Sequence, residues 1–170
     1  MSNHIMNPKY VSWAIFSILL LFSCNTRNKN ISKDIFKITL VAKVMEDDKF
    51  QVFFIDEINK GYTDDKRIVV NVKQSLDFQE ITFQLNSIPL TFRIDLGEKG
   101  YNSLVAIDKV ILKNGSKRIE LDNNVLHRFF EANIYISKIG SEYHRSTVEG
   151  RYDPFISATA LLEKKLELEF

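Results

Sequence analysis

From Asp34 onward the chain alternates. Phe36, Ile38, Leu40, Ala42 and Val44 hold one parity, and Lys37, Thr39, Val41 and Lys43 the other. That period of two predicts a half-buried strand. Asp47-Asp48-Lys49 supplies turn chemistry, and Phe50, Val52 and Phe54 continue the alternation in a second strand. Beyond the loop-forming residues Asn59-Lys60-Gly61-Tyr62 and Thr63-Asp64-Asp65-Lys66, strands are expected at 67–73, 79–85 and 88–95. Pro89 inside the last run favours an edge or a strand start. Gly97-Glu98-Lys99-Gly100 breaks the chain again. Leu104 to Leu112 is apolar and β-branched, and Asn114-Gly115 separates it from Ser116–Leu121, a hairpin signal because both turn positions tolerate positive φ. Asn124 to Ala132 reads as a short helix. Val125 and Phe129, and Leu126 and Phe130, stand four apart behind Asp122 or Asn123 as cap. Residues 134–138 and 142–148 are further strand candidates and Asp153-Pro154 a turn. KKLELEF at 164–170 reads as a terminal strand, with Leu166, Leu168 and Phe170 on one face. Nine or ten short strands at intervals of about 8–12 residues predict an all-β domain over residues 34–170, an antiparallel β-sandwich or jelly-roll-like fold with one short helix.

Upstream the pattern is different. A polar stretch with one cation, Lys9, leads into the apolar run from Val11 to Phe22. A bilayer core needs roughly 20 such residues, so the run is short for a span and fits the helical core of a signal peptide. It ends in Leu21-Phe22-Ser23-Cys24, which resembles the lipobox of bacterial lipoproteins: an aliphatic residue, a variable one, a small one, then cysteine. The resemblance implies cleavage after residue 23 and a diacylglyceryl thioether on Cys24, usually with an acylated amine, and two or more acyl chains anchor stably where one is marginal. The cysteine count agrees, since Cys24 is the chain's one cysteine and no disulfide can form. Residues 24–33 follow as a polar tether with Ile31 as its apolar exception. Fully extended, the nine residues after the cysteine reach ~30 Å, enough to clear the headgroup region.

Composition narrows the chemistry. Lys and Arg number 23 against 22 Asp and Glu, a net charge of +1, and Lys9 leaves with the signal peptide. A balanced mature chain gives no reason to expect a nucleic-acid or polybasic membrane patch. His127 and His144 stand apart, and neither His-x₃-His nor His-Glu-x-x-His spacing occurs, so no metal is expected. No Gly-x-Ser-x-Gly or Ser-x-x-Lys marks a hydrolytic serine, and no Gly-rich loop cradles phosphate. Asp47, Asp48, Asp64 and Asp65 read as turn residues, although paired carboxylates for glycoside chemistry are assembled in space, not in sequence. No cofactor is expected. Sugar binding rests on exposed aromatic platforms. Trp13 leaves with the signal peptide, and of Tyr62, Tyr101, Tyr135, Tyr143 and Tyr152, the two that directly follow a glycine, Tyr62 and Tyr101, are the candidate ligand-binding residues.

Ile38-x-Leu-x-Ala42, Asp47-Asp48-x-Phe50-Gln51-Val52-Phe53-Phe54, Phe92-Arg93-Ile94-Asp95-Leu96-Gly97 and Phe129-Phe130-x-x-Asn133-x-Tyr135-Ile136 together resemble a β-sandwich module of Bacteroidota envelope proteins. That module occurs beside polytopic membrane proteins tied to glycan assembly and as small free-standing lipoproteins. The resemblance implies a sandwich and carries no catalytic residues. The expected function is a non-catalytic, membrane-anchored module binding a glycan or an envelope protein. The alternatives are a structural or assembly lipoprotein without a small ligand, and an envelope hydrolase with fold-assembled carboxylates. The tether offers Arg27 and Lys29 and no acid, which points to the outer membrane with the domain facing the periplasm.

Overall fold

A computed structural model describes residues 35–58, 60–100 and 102–170. The expected signal peptide, Cys24 and the expected tether lie outside the described residues, as does Tyr101. Eleven strands form two antiparallel sheets. In the first, β4 (Ser75–Leu85), β1 (Phe36–Val44), β6 (Leu104–Asn114), β10 (Glu142–Arg145) and β9 (Ile136–Ile139) lie in that order, and β7 (Lys117–Asp122) pairs with the far half of β6. The second runs β3 (Arg67–Val72), β2 (Asp48–Ile55), β5 (Thr91–Asp95), β11 (Phe155–Ala158) and β8 (Phe130–Ala132).

The alternation of β1 is fulfilled residue by residue: Phe36, Ile38, Leu40, Ala42 and Val44 are fully buried. They meet Phe50, Val52 and Phe54 of β2, Phe92 and Ile94 of β5 and Ile156 of β11 in one core. β6 changes phase midway. Val41 pairs with Lys109 but Ala42 with Ile107, so Asp108 is the extra residue of a bulge. The bulge lets Val105 and Ile107, then Val110 and Leu112, all face inward without burying the Asp108-Lys109 pair.

Three readings of the sequence need correction. The β6–β7 turn is displaced by one residue: Asn114 pairs with Lys117, so the central residues are Gly115 and Ser116. Gly115 has φ of 58°, the position where a type II′ turn requires glycine. The helix of residues 124–132 ends early. Helix α1 (Asn123–Phe129) is capped by Asp122, which accepts the Asn124 N–H at 2.9 Å. The chain then straightens, because Phe130 packs edge-on against Phe92 at 5.8 Å and β8 pairs with β11. The terminal strand is a helix, α2 (Ala160–Glu169). Leu162 and Leu166, four apart, are its buried residues, whereas Leu168 is 72% exposed. Ala, Leu, Glu and Lys favour helix, and the Lys165–Glu169 pair at 3.3 Å adds i,i+4 support. Phe170 then lies edge-on to Phe36 at 5.0 Å, closing that end of the core.

A polar knot closes the other end. Arg145 and Asp48 are both fully buried, with Nη1 and Oδ2 2.9 Å apart. Arg145 also donates to Leu96 O and to Ser103 Oγ, each at 2.5 Å, while Asp48 Oδ1 accepts the N–H groups of Lys49, Glu98 and Lys99. Breaking such a pair from one side typically costs about 3–5 kcal/mol. Gly97, φ 131°, lies directly against it, and a methyl built there overlaps both Arg145 Nη1 and Asp48 Oδ2. Asp48, expected as a turn residue, is therefore an inter-sheet tie.

Candidate functional site

The outer face of the five-stranded sheet carries the polar residues that alternate with its core positions. Phe54 and Val52 point inward, so Phe53 and Gln51 point out. In β5, Arg93 and Asp95 oppose Phe92 and Ile94, and in β11 Phe155 opposes Ile156. Strand order then does what no local pattern specifies. Phe53 pairs with Arg93, and Asp95 pairs with both Gln51 and Phe155. The Arg93 guanidinium carbon lies 4.7 Å from the Phe53 ring centroid, 4.4 Å from Phe155 and 5.9 Å from Tyr62. Tyr62 arrives from the β2–β3 loop and is 43% exposed. Cation–π contacts of this kind contribute ~0.5–2 kcal/mol, and here they fix the guanidinium in a defined plane.

Two carboxylates share that guanidinium. Arg93 Nη2 donates to Asp95 Oδ2 at 3.0 Å, and its Nε sits 3.0 Å from Oδ1. Asp153 Oδ1 is 3.9 Å from Nη2. Asp95 is 5% exposed. Burial pushes its carboxyl up to about 7, with the charge of Asp153 adding to the rise, against the pull of Arg93 and Arg67. Next to it the Gln51 amide donates to Glu98 at 2.5 Å. Gln51 Oε1, Arg93 Nε and Asp95 Oδ1 are buried without a hydrogen-bond partner, the Nε–Oδ1 approach being close but poorly aligned.

Of the other sequence candidates, Asp64 borders this face through Arg67, which lies 6.0 Å from the Phe53 ring centroid, and the rest lie apart from it. Asp47 accepts from Lys73 Nζ and Gln74 N, both at 2.7 Å; the Gln74 bond and then Lys73 hold its carboxyl below the usual range. Asp64 faces Arg67 at 3.7 Å. His127 is exposed on α1, and His144 pairs with Glu142 at 3.1 Å on the first sheet. Tyr143 is buried, which pushes its hydroxyl up to about 12 and removes it as a platform. Of the two tyrosines singled out by position, Tyr62 falls on the aromatic face and Tyr101 is outside the described residues. Arg93, Asp95, Phe53, Gln51 and Phe155 were not singled out. Their one local signal is the Arg93-x-Asp95 spacing, two charges on a single face of a strand whose other face is apolar. Among the described residues, no three His, Asp, Glu or Cys converge to hold a metal ion, and no helix is long and apolar enough to cross a membrane. No protein-family model, curated protein or solved structure matches the chain.

Proposed function

We propose that this chain is a lipid-anchored protein of the bacterial cell envelope whose β-sandwich is a non-catalytic glycan-binding module, with the glycan seated on the Tyr62–Arg93 face. The observation that carries the reading is the grouping of Tyr62, Phe53 and Phe155 around one guanidinium. A sugar presents an apolar ring face and a rim of hydroxyls, so it needs an aromatic surface with donors and acceptors in fixed positions next to it. Arg93, held between two rings, has little freedom left to lose on binding. Binding is preferred to cleavage because the guanidinium lies between the two carboxylates, where a scissile bond would have to sit. The lipobox-like Leu21-Phe22-Ser23-Cys24 and the likeness to Bacteroidota envelope modules support the anchored setting. The acid-free tether supports the outer membrane, facing the periplasm.

Calorimetric titration of the full chain with envelope oligosaccharides tests the reading. Tyr62→Ala and Phe155→Ala should each weaken binding by about tenfold, or ~1.4 kcal/mol, with unchanged circular dichroism. No binding by the folded wild type to any oligosaccharide class would remove the glycan reading and leave an envelope-protein partner or a structural role. One observation favours a hydrolase as the second reading: Asp95, its carboxyl raised to about 7, faces Asp153 across a shared nitrogen. That reading requires Asp95→Asn to keep oligosaccharide binding and abolish the release of new reducing ends.

A further inference from the structure

Both ends of the sandwich expose apolar side chains, Leu76 and Phe78 where β4 begins and a larger aliphatic group where β1 begins. At one end β1 begins and β4 finishes, with Phe36 paired to Leu85, while β2 finishes and β5 begins, with Ile55 paired to Thr91. Ile35, Ile58, Ile88 and Leu90 are all exposed there, Ile58 to 85%. Short bonds hold their loops together: Leu90 N–H donates to Ile55 O at 2.8 Å, Ser87 Oγ to Asp56 Oδ2 at 2.6 Å, and Ile58 N–H to Asp56 Oδ1 at 3.1 Å. Lysines surround this aliphatic end. Lys37 pairs with Lys113, Lys117 follows at the tip of the β6–β7 hairpin, and Lys60 lies on the loop beyond Ile58; all four are exposed, with Glu57 beside Ile58 and the end of α2 beside Lys117, whose Nζ donates to Phe170 O at 3.5 Å. The opposite end is closed by the Asp48–Arg145 knot.

We infer that the β1-entry end docks on a lipid bilayer, its isoleucines and Leu90 entering the interfacial layer and its lysines facing lipid phosphates. The choice of a bilayer over another occupant rests on the lipid-anchor reading of Cys24. Cys24 precedes Ile35 by eleven residues, which span no more than ~40 Å when extended. The opposite end is a further ~30 Å away along β1, so the anchor holds the aliphatic, basic end near lipid. Apolar side chains ringed by cations are the composition that partitions into an anionic interface. The tether is long enough to let the domain stand off the surface, and the exposed end draws it back down.

The test places single tryptophan reporters in the full chain carrying Trp13→Phe. It is reconstituted in phosphatidylethanolamine–phosphatidylglycerol vesicles whose acyl chains are brominated close to the headgroup. Ile88→Trp and Ile58→Trp should shift to shorter emission wavelength and lose fluorescence to the bromines. Phe78→Trp, on the outer face of β4, should do neither. Intact mass of the same sample reads the lipid on Cys24 separately. Lipid present with Ile88→Trp and Ile58→Trp both unquenched overturns the docking. Both reporters quenched without lipid on Cys24 sustains the docking and overturns the anchor.

Discussion

Asp95 shows how burial and partner compete at one residue. Arg93 approaches it in two places, yet removal from water dominates and the carboxyl titrates at about 7, against about 3.9 for an unfolded aspartate. Between those values the folded protein holds a proton that the unfolded chain has released. Its contribution is therefore most favourable below about pH 4, declines as pH rises to about 7, and is level above that. Asp95→Asn keeps the shape and an acceptor for Arg93 but cannot ionise. Relative to wild type, the variant should gain roughly 2 kcal/mol between about pH 5 and pH 8, read from urea midpoints at the two pH values. A difference that does not change with pH would mean Asp95 ionises as an ordinary surface aspartate. The residue was not legible in the sequence as part of a site. Its Arg-x-Asp spacing was visible, but its aromatic neighbours come from β2 and β11, and only the strand order β2-β5-β11 brings them together. The exposure of Tyr62 was legible from the loop-forming residues around it.

At the scale of elements, the contrast is between β1 and α2. β1 could be read directly, because every inward position is apolar and the period admits one register. α2 was misread because Leu166, Leu168 and Phe170 alternate as a strand would, while the deciding residue, Leu162, lay outside the window that suggested a strand. Burial at 162 and 166 obeys the helical period instead. Leu166→Ala should therefore cost about 2–4 kcal/mol, and Leu168→Ala under about 0.5 kcal/mol, both by chemical denaturation. Comparable losses at the two positions would restore the strand. β11 escaped detection for a related reason: Phe155-Ile156-Ser157-Ala158 is too short to establish a period, and it becomes a strand only because β5 and β8 flank it. The Asp48–Arg145 tie was invisible for the same physical cause, its partners being 97 positions apart.

At the scale of the whole molecule, the anchor and the fold make separable demands. Cys24→Ala should leave the described domain folded, since its core is assembled from residues between Phe36 and Phe170, while abolishing the mass added by lipid. The variant should accumulate as an uncleaved chain, seen by intact mass after membrane extraction; a wild-type chain with an unmodified thiol at Cys24 would remove the lipoprotein reading. Folding order is set by the sheet itself. β1 is the first strand made and lies inside its sheet, but both neighbours come much later: Phe36 waits for Leu85, and Lys37 for Lys113. Such distant pairings require large loops to close before any ladder rewards them, which places assembly in the slow, roughly millisecond-to-second class of small β proteins. During synthesis the apolar stretch Phe36–Val44 therefore stays unpaired until β4 has emerged, whereas Asp48–Ile55 meets its partner β3 as soon as Arg67–Val72 follows it. In that interval Phe36–Val44 is the segment most open to a holding chaperone, a protease or another copy of the same strand.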